Sequence, residues 1–348
     1  MVVAPRSTDD ALHRLLAEGR SRARTGDPAG VRLWDAAAEA AEGGKRFRPA
    51  LVMAAHDALR GTSGEAAAQV GAAVELLHTA FVIHDDVIDG DDLRRGRLNV
   101  SGTFAAEAHR AGAAPEGATE LGRAAGILAG DLALAAAIRA VATCGAAPDV
   151  VGRLLDLFDT ALHTTAAGEL ADVRLSLHLG PASLSESLAM AEQKTSAYSF
   201  ALPLQAGAVL AGADERTVAG LGETGRLLGV AFQLADDLLG VFGDPDRTGK
   251  SATNDLRTAK QTPLLVHATT TREWPEIQAY VGRDLTDAEV TEVRRLLTAS
   301  GSRGFVEELA ERHLAGARAL VAELGVAAAI LPVVAACLPE LADEGVAA

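Results

Sequence analysis

"FVIHDDVIDGDDLRRGR", residues 81–97, is the stretch on which the reading turns. An apolar run with helical spacing carries Asp85, Asp86, Asp89, Asp91 and Asp92, and Arg94, Arg95 and Arg97 follow at once. On a helix Asp85 and Asp89 face the same way one turn apart, with Asp86 about 100° around the axis. Like charges at that spacing destabilise a bare helix, so a cation is needed among them. Carboxylates at i, i+1 and i+4 form a hard-oxygen site suited to Mg2+, which takes few protein carboxylates and completes its shell with water and phosphate oxygens. Val82, Ile83, Val87 and Ile88 surround the acids, which predicts a helix buried around them rather than a solvated helix end.

A second acidic pair lies in "FQLADDLLG", residues 232–240, where Asp236 and Asp237 interrupt another apolar helical run, with Gln233 one turn earlier. Facing the first set, this pair would complete a cage for two or three divalent ions. Cations are grouped with the acids: Lys45, Arg46 and Arg48 after the Gly43–Gly44 turn, Arg94 and Arg95, then Lys194, Lys250 and Lys260. Arginine binds phosphate oxygens in a fork and lysine as a point charge. Bases beside metal-binding acids point to a diphosphate substrate.

Helical periodicity extends through the rest of the chain. Val70, Ala73, Val74, Leu77, Ala80, Phe81 and Ile88 follow i, i+3, i+4, i+7 spacing, and 121–142, 150–175, 184–211, 216–242 and 305–323 read alike. Alternating strand patterns are scarce. Short Gly- and Pro-marked loops predict antiparallel packing of neighbouring helices, in one all-α domain of roughly ten or more helices spanning 1–348. Residues 1–25 are expected to be a mobile N-terminus.

Of the 348 residues 49% are hydrophobic and only 3% aromatic, and the net charge is −15. No basic footprint marks a nucleic-acid partner. No uninterrupted apolar run reaches about 18 residues, which predicts no membrane span. No secretory signal opens the sequence. Cys144 and Cys337 stand apart from any CxxC or ligand-spaced histidine, which predicts buried thiols in a cytoplasmic protein. "GDPDRTGKS" (243–251) imitates a phosphate-binding P-loop, but five residues separate its glycines and a helix precedes it. It reads instead as a loop that carries Lys250 over the acids, in the manner of a lid.

Taken in order, "GGKRFRP" (43–49), "LLHTAFVIHDDVIDGDDLRRG" (76–96), "LAGD" (128–131), "QKT" (193–195), "FQLADDLLGVFGDPDRTGK" (232–250) and "DLRTAKQT" (255–262) resemble the trans-isoprenyl diphosphate synthases, or polyprenyl synthetases. The likeness runs from Gly43 to about Leu265. It implies the isoprenoid synthase fold, antiparallel helices around a central cavity, in a homodimer. It also implies an enzyme that condenses isopentenyl diphosphate with allylic diphosphates, using two or three Mg2+ per site. Carried over, Asp85, Asp89 and Asp236 bind Mg2+ with Asp86 and Asp237 supporting. Arg94, Lys194, Thr195, Gln233, Lys250 and Lys260 hold the allylic diphosphate, and Lys45, Arg48, His78 and Arg95 hold isopentenyl diphosphate. Asp85, Asp86, Asp89, Arg94, Lys194, Asp236 and Lys250 are thereby the catalytic set.

The chain departs from the family where a second DDxxD motif would end, since the fifth position is Gly240. "RLNVSG" follows the arginines where many members have Pro-Thr, and the C-terminus is acidic. The growing tail should run from Asp85 toward the start of its helix, past Phe81 and Ala80 and then Leu77. A helix rises about 1.5 Å per residue, so one turn matches roughly one extended isoprene unit. A single aromatic at Phe81 favours a short product, geranylgeranyl diphosphate (C20), with farnesyl diphosphate (C15) as the alternative. A class I terpene cyclase is a second alternative, though cyclases line their cavities with aromatics. A non-catalytic partner subunit is a third, though such subunits tend to lose the acidic motifs.

Overall fold

The helix expected around Asp85 is α4, Gly64–Asp89, and the residues predicted to form its apolar stripe lead into the core. Val70, Ala73, Val74, Leu77 and Ala80 are fully buried, and so are Ala72 and Leu76 on other faces, so after an exposed start at Gly64 and Glu65 the helix is covered on nearly all sides between Ala66 and Ala80. The burial fails at the end of the stripe. Ile88, expected inside, is 48% exposed, and Val82 and Val87 are only partly covered. The chain reverses just beyond, at Gly90 (φ 71), with the Asp91 N–H on the Asp86 carbonyl at 2.9 Å.

This is a computed structural model, and it describes residues 6–177, 180, 182–243 and 254–337. Helices dominate it. Two compact units are distinguishable: residues 1–158 with 205–214, and residues 159–204 with 215–348.

In the first unit α1 (Arg6–Ala23) packs on α2 (Pro28–Ala40) and on α4, and α3 (Phe47–Ala58) packs on α4. The stretch expected to be a mobile N-terminus therefore contains a helix. α6 (Pro115–Ala142) lies against α4 and α5 (Val100–Arg110). A small core of Ala36, Ile83, Val100 and Ala129, with Leu33 and Phe104 against it, joins α2, α4, α5 and α6. α4 and α6 are both long and apolar enough to cross a membrane, but the apolar window of α4 is 78% buried inside the protein.

Between α4 and α5 stands an element that the helical reading missed, a hairpin of β1 (Leu93–Arg94) and β2 (Arg97–Leu98) with Leu93 opposite Leu98. Its two-residue loop, Arg95–Gly96, has positive φ at both positions (54 and 73), the turn whose twist suits a tight hairpin.

α7 is Pro148–Ser176 and α9 is Leu202–Leu210. In the second unit α8 (Leu184–Ala191) leads into a π-helix, Glu192–Ala201. α10 (Glu215–Phe242) packs on that π-helix and on α15 (Ser302–Glu323). α11 (Asn254–Arg257), α12 (Pro263–Ala268), α13 (Trp274–Ile277) and α14 (Asp287–Ala299) precede α15, and α16 (Ala327–Cys337) follows it. Val230, Leu234, Leu264, Leu296, Val306 and Ala310 form the core. Cys144 and Cys337 are both buried, and the Cys337 thiol donates to the Val333 carbonyl at 3.1 Å.

Candidate functional site

The acids of the first unit occupy the last turns of α4, where the helix dipole is negative and carboxylates are disfavoured. The hairpin supplies the compensation. Arg94 donates from Nε to Oδ1 of Asp86 at 2.7 Å and from Nη2 to Oδ2 of Asp85 at 3.0 Å. Asp86 is 4% exposed. Burial raises its pKa against the pull of Arg94, and Asp85 and Asp91 add to the rise. Asp85 is half-buried and Asp89 exposed.

The same unit gathers cations around His78. Burial, followed by the charges of Arg48, Arg94, Arg95 and Arg46, holds the imidazole well below its ordinary pKa, so it is neutral at pH 7. Arg95 approaches the glycine turn: a β-carbon built on Gly43 would stand 3.6 Å, and one on Gly44 3.8 Å, from its guanidinium. Both glycines have positive φ (74 and 80). Lys45 is exposed, and Arg48 stacks 4.4 Å above the Phe47 ring. Arg46, grouped with these bases from sequence, is spent internally. It donates to Glu75 Oε1 at 2.6 Å and to the Ala41 carbonyl at 2.5 Å.

Among the expected floor residues Ala80 and Leu77 are fully buried, while Phe81, one residue beyond Ala80, is half-buried.

In the second unit the "QKT" segment is π-helical, a form that recurs at functional sites. Neighbouring backbone comes unusually near to it. A β-carbon on Gly168 of α7 would lie 2.3 Å from the Lys194 nitrogen, so only glycine fits there. Lys194 Nζ then meets Asp172 Oδ2 at 2.7 Å and Glu169 Oε1 at 3.1 Å. Sequence reasoning missed Glu169 and Asp172. Their only sequence mark is i, i+3 spacing on α7, which Asp156 and Asp159 on the same helix share.

Thr195 Oγ1 donates to Gln233 Oε1 at 2.9 Å, and Gln233 Nε2 donates to Asp237 Oδ1 at 2.9 Å. Asp237 is 4% exposed. Burial pushes its pKa up to about 7, opposed by Lys260 and Gln233 and reinforced by Asp255 and Asp236. Burial alone would lower Lys260, but Asp172, Asp237 and Asp255 outweigh it and raise the amine. Asp236, on the adjoining position, is half-buried. Lys250 lies outside the described residues. At the end of α10, Arg294 holds the carbonyls of Val241 at 2.6 Å and Gly243 at 2.8 Å.

A surface cleft of about 650 Å³, lined in part by Arg294, Arg295 and Arg303, is a poor anion site. Besides the carbonyl grip of Arg294, Arg295 pairs with Glu292 and Arg303 with Glu307.

Among the described residues no group of three or more His, Cys, Asp or Glu side chains could hold a metal by itself. The paired carboxylates fit Mg2+, which needs one or two protein oxygens and draws the rest from water and phosphate. They do not fit a softer ion, since no thiolate or imidazole is grouped with them.

Comparison with known proteins agrees with this chemistry. A family model described as polyprenyl synthetase matches residues 32–297. A geranylfarnesyl diphosphate synthase of Aeropyrum pernix is 31% identical over 81% of this chain and 84% of its own. A geranylgeranyl diphosphate synthase of Mycobacterium tuberculosis is 36% identical over 75% of this chain and 69% of its own. A crystal structure of geranylgeranyl pyrophosphate synthase from Corynebacterium glutamicum, complexed with isoprenyl diphosphate and magnesium, superposes with a TM-score of 0.85. That match is 28% identical and covers 95% of this chain and 96% of the other.

Proposed function

The chain belongs to the polyprenyl synthetase family, an all-α trans-prenyl diphosphate synthase, and from that premise we propose that it joins isopentenyl diphosphate to allylic diphosphates to make geranylgeranyl diphosphate. The observation that carries the reading is the cation shell of the acidic motifs, above all Arg94 across Asp85 and Asp86. It marks a place where charges of both signs are held ready for a charged ligand.

Asp85 and Asp89, supported by Asp86, and Asp236, supported by Asp237, are the Mg2+ ligands of this reading, for two or three ions. Bound Mg2+ would neutralise the allylic diphosphate and stabilise it as a leaving group. In the first unit Lys45, Arg48, Arg94 and Arg95 bind diphosphate oxygens. His78, being neutral, donates a hydrogen bond without adding charge. In the second unit Lys194, Thr195, Gln233 and Lys260 bind diphosphate, and Lys250 is assigned with them. The allylic C–O bond breaks, the double bond of isopentenyl diphosphate attacks the allylic cation, and the released diphosphate takes the departing proton. Positioning and preorganised charge supply most of the acceleration.

The C20 assignment is supported by Phe81, the one half-buried aromatic placed one turn before Asp85, above the fully buried Ala80 and Leu77. Relatives with other products, such as the geranylfarnesyl enzyme, make this residue the point to test. Both compact units are read as one synthetase domain, 1–348, in the cytoplasm. A homodimer is proposed through α6, whose Leu121, Ile127 and Leu128 are 48%, 44% and 51% exposed. Leu128→Glu should then yield monomer in sedimentation.

Diphosphate release by the purified chain tests the chemistry. Release should require Mg2+, an allylic diphosphate and isopentenyl diphosphate together. Rapid release from the allylic substrate alone would instead indicate a cyclase.

A further inference from the structure

Glu75 places a carboxylate in the most apolar part of α4. It is 5% exposed and stands between the fully buried Val74 and Leu76. A charge so enclosed needs a partner, and the partner comes from outside the helix: Arg46 donates from Nη1 to Oε1 at 2.6 Å. The bridge is poorly built for stability. It uses one carboxylate oxygen where a guanidinium can hold two, and Oε2 is buried with no hydrogen-bond partner among the described residues. Buried ion pairs add little to stability over apolar side chains of similar size, so this one calls for a different role.

The backbone of Arg46 points to that role. Arg46 is the N-cap of α3 and has a left-handed φ of 50, which a residue with a side chain rarely adopts unless it is held there. Each of its three guanidinium nitrogens faces a protein oxygen. Nη1 meets Glu75, Nη2 meets the Ala41 carbonyl at 2.5 Å, and Nε lies 3.6 Å from Oδ1 of Asp9. The turn at 43–46 is thereby tied at once to α1, to the end of α2 and to α4. Lys45 precedes Arg46 directly, and Arg48 follows it by two residues. On α4, His78 comes three residues after Glu75 and shares its face. Arg48 and Arg46 are among the charges that act on the imidazole. The anchor and the bases it carries converge on one stretch of helix.

We propose that Glu75 is a positioning residue for isopentenyl diphosphate: through Arg46 it holds the 43–46 turn in the conformation that sets Lys45 and Arg48 beside His78, without touching the substrate itself. The inference rests on the reading that these bases bind isopentenyl diphosphate.

Steady-state kinetics of the full chain test it, with isopentenyl diphosphate and the allylic diphosphate varied in turn. Glu75→Gln keeps the shape and removes the charge. It should raise KM for isopentenyl diphosphate about tenfold, as a displaced binding group does, and leave kcat and the allylic KM unchanged. A purely structural bridge would lower the melting temperature without that split. Arg46→Lys keeps the charge but cannot span Glu75 and the Ala41 carbonyl together. It should show the same split, and it decides the matter if Glu75→Gln does not fold. The Arg46→Lys/Glu75→Gln pair should be no worse than either single variant, because both break one contact. An unchanged KM for isopentenyl diphosphate, an equal rise in both KM values, or additive losses in the pair would overturn the assignment. So would an effect of Arg46→Lys without one of Glu75→Gln, which would place Arg46 on the substrate itself. Lys45→Ala separates the two levels. If it raises KM for isopentenyl diphosphate while Glu75→Gln does not, only the role of Glu75 fails. If neither changes it, the reading of these bases fails as well.

Discussion

Arg94 holds Asp86 through a single oxygen, with Nη2 at 2.6 Å and Nε at 2.7 Å from the same Oδ1. This contact answers part of the repulsion built into the end of α4, before any ion binds. Arg94→Ala removes a charge-assisted partner from a buried carboxylate. Such bonds contribute about 1.5–3 kcal/mol, and the partial exposure of Arg94 places the loss at the lower end. Urea denaturation should show it, and an Asp86→Asn background should shrink it, because the two residues are coupled. Strictly additive losses would deny the coupling.

The neutral state of His78 gives the fold a pH dependence of known sign. Its folded pKa is depressed, chiefly by burial and then by the four arginines, so between that value and about 6.5 the unfolded chain binds more protons. Stability should therefore fall as pH drops below about 6.5, by at most about 1.4 kcal/mol per pH unit for this one group. His78→Gln should flatten that part of the curve. Inorganic diphosphate should raise the His78 pKa by screening the arginines, which histidine NMR reads directly. A His78 resonance that titrates near pH 6.5 in the free protein would contradict the arginine nest.

Gly168 faces the backbone of Lys194 at a distance no β-carbon tolerates. Gly168→Ala must displace the π-helix or α7, and overpacking of this kind costs about 1–3 kcal/mol. Because the shift occurs at Lys194, KM for the allylic diphosphate should rise as well. Wild-type stability and KM together would show that the close approach has no consequence.

The sequence predicted the buried stripe of α4, although burial there extends to the other faces as well, Ala72 and Leu76 included. Val70, Ala73, Val74, Leu77 and Ala80 lie where the spacing puts them. Ile88 fails because the helix ends one residue later, at Asp89, and the chain turns away at Gly90. The hairpin at 93–98 was illegible for a different reason. Two residues per strand carry no alternation to detect, and only the Arg95–Gly96 turn betrays them. The π-helix was absorbed into one long predicted helix, 184–211, since its register answers to the nearby backbone of Gly168 rather than to local spacing. In the candidate site the acids and most bases were legible as residue types. Their pairings were not: Arg46 with Glu75, Lys194 with Glu169 and Asp172, and Asp255 above Gly240 are long-range contacts.

Phe81→Ala tests the floor. Removing the ring should open room for about one further isoprene unit per helical turn, shifting products toward C25 and beyond. Ala80→Phe, adjacent to it, should shift them toward C15. A product profile unchanged in both variants would remove Phe81 and Ala80 from length control.

Product chain length of the wild-type enzyme tests the central claim most directly. The purified chain is incubated with Mg2+, isopentenyl diphosphate and each allylic primer, and the dephosphorylated alcohols are separated. The account predicts a dominant linear C20 alcohol. A dominant C15 or longer alcohol, a cyclic hydrocarbon, or no prenyl product from an active preparation of the chain would contradict it.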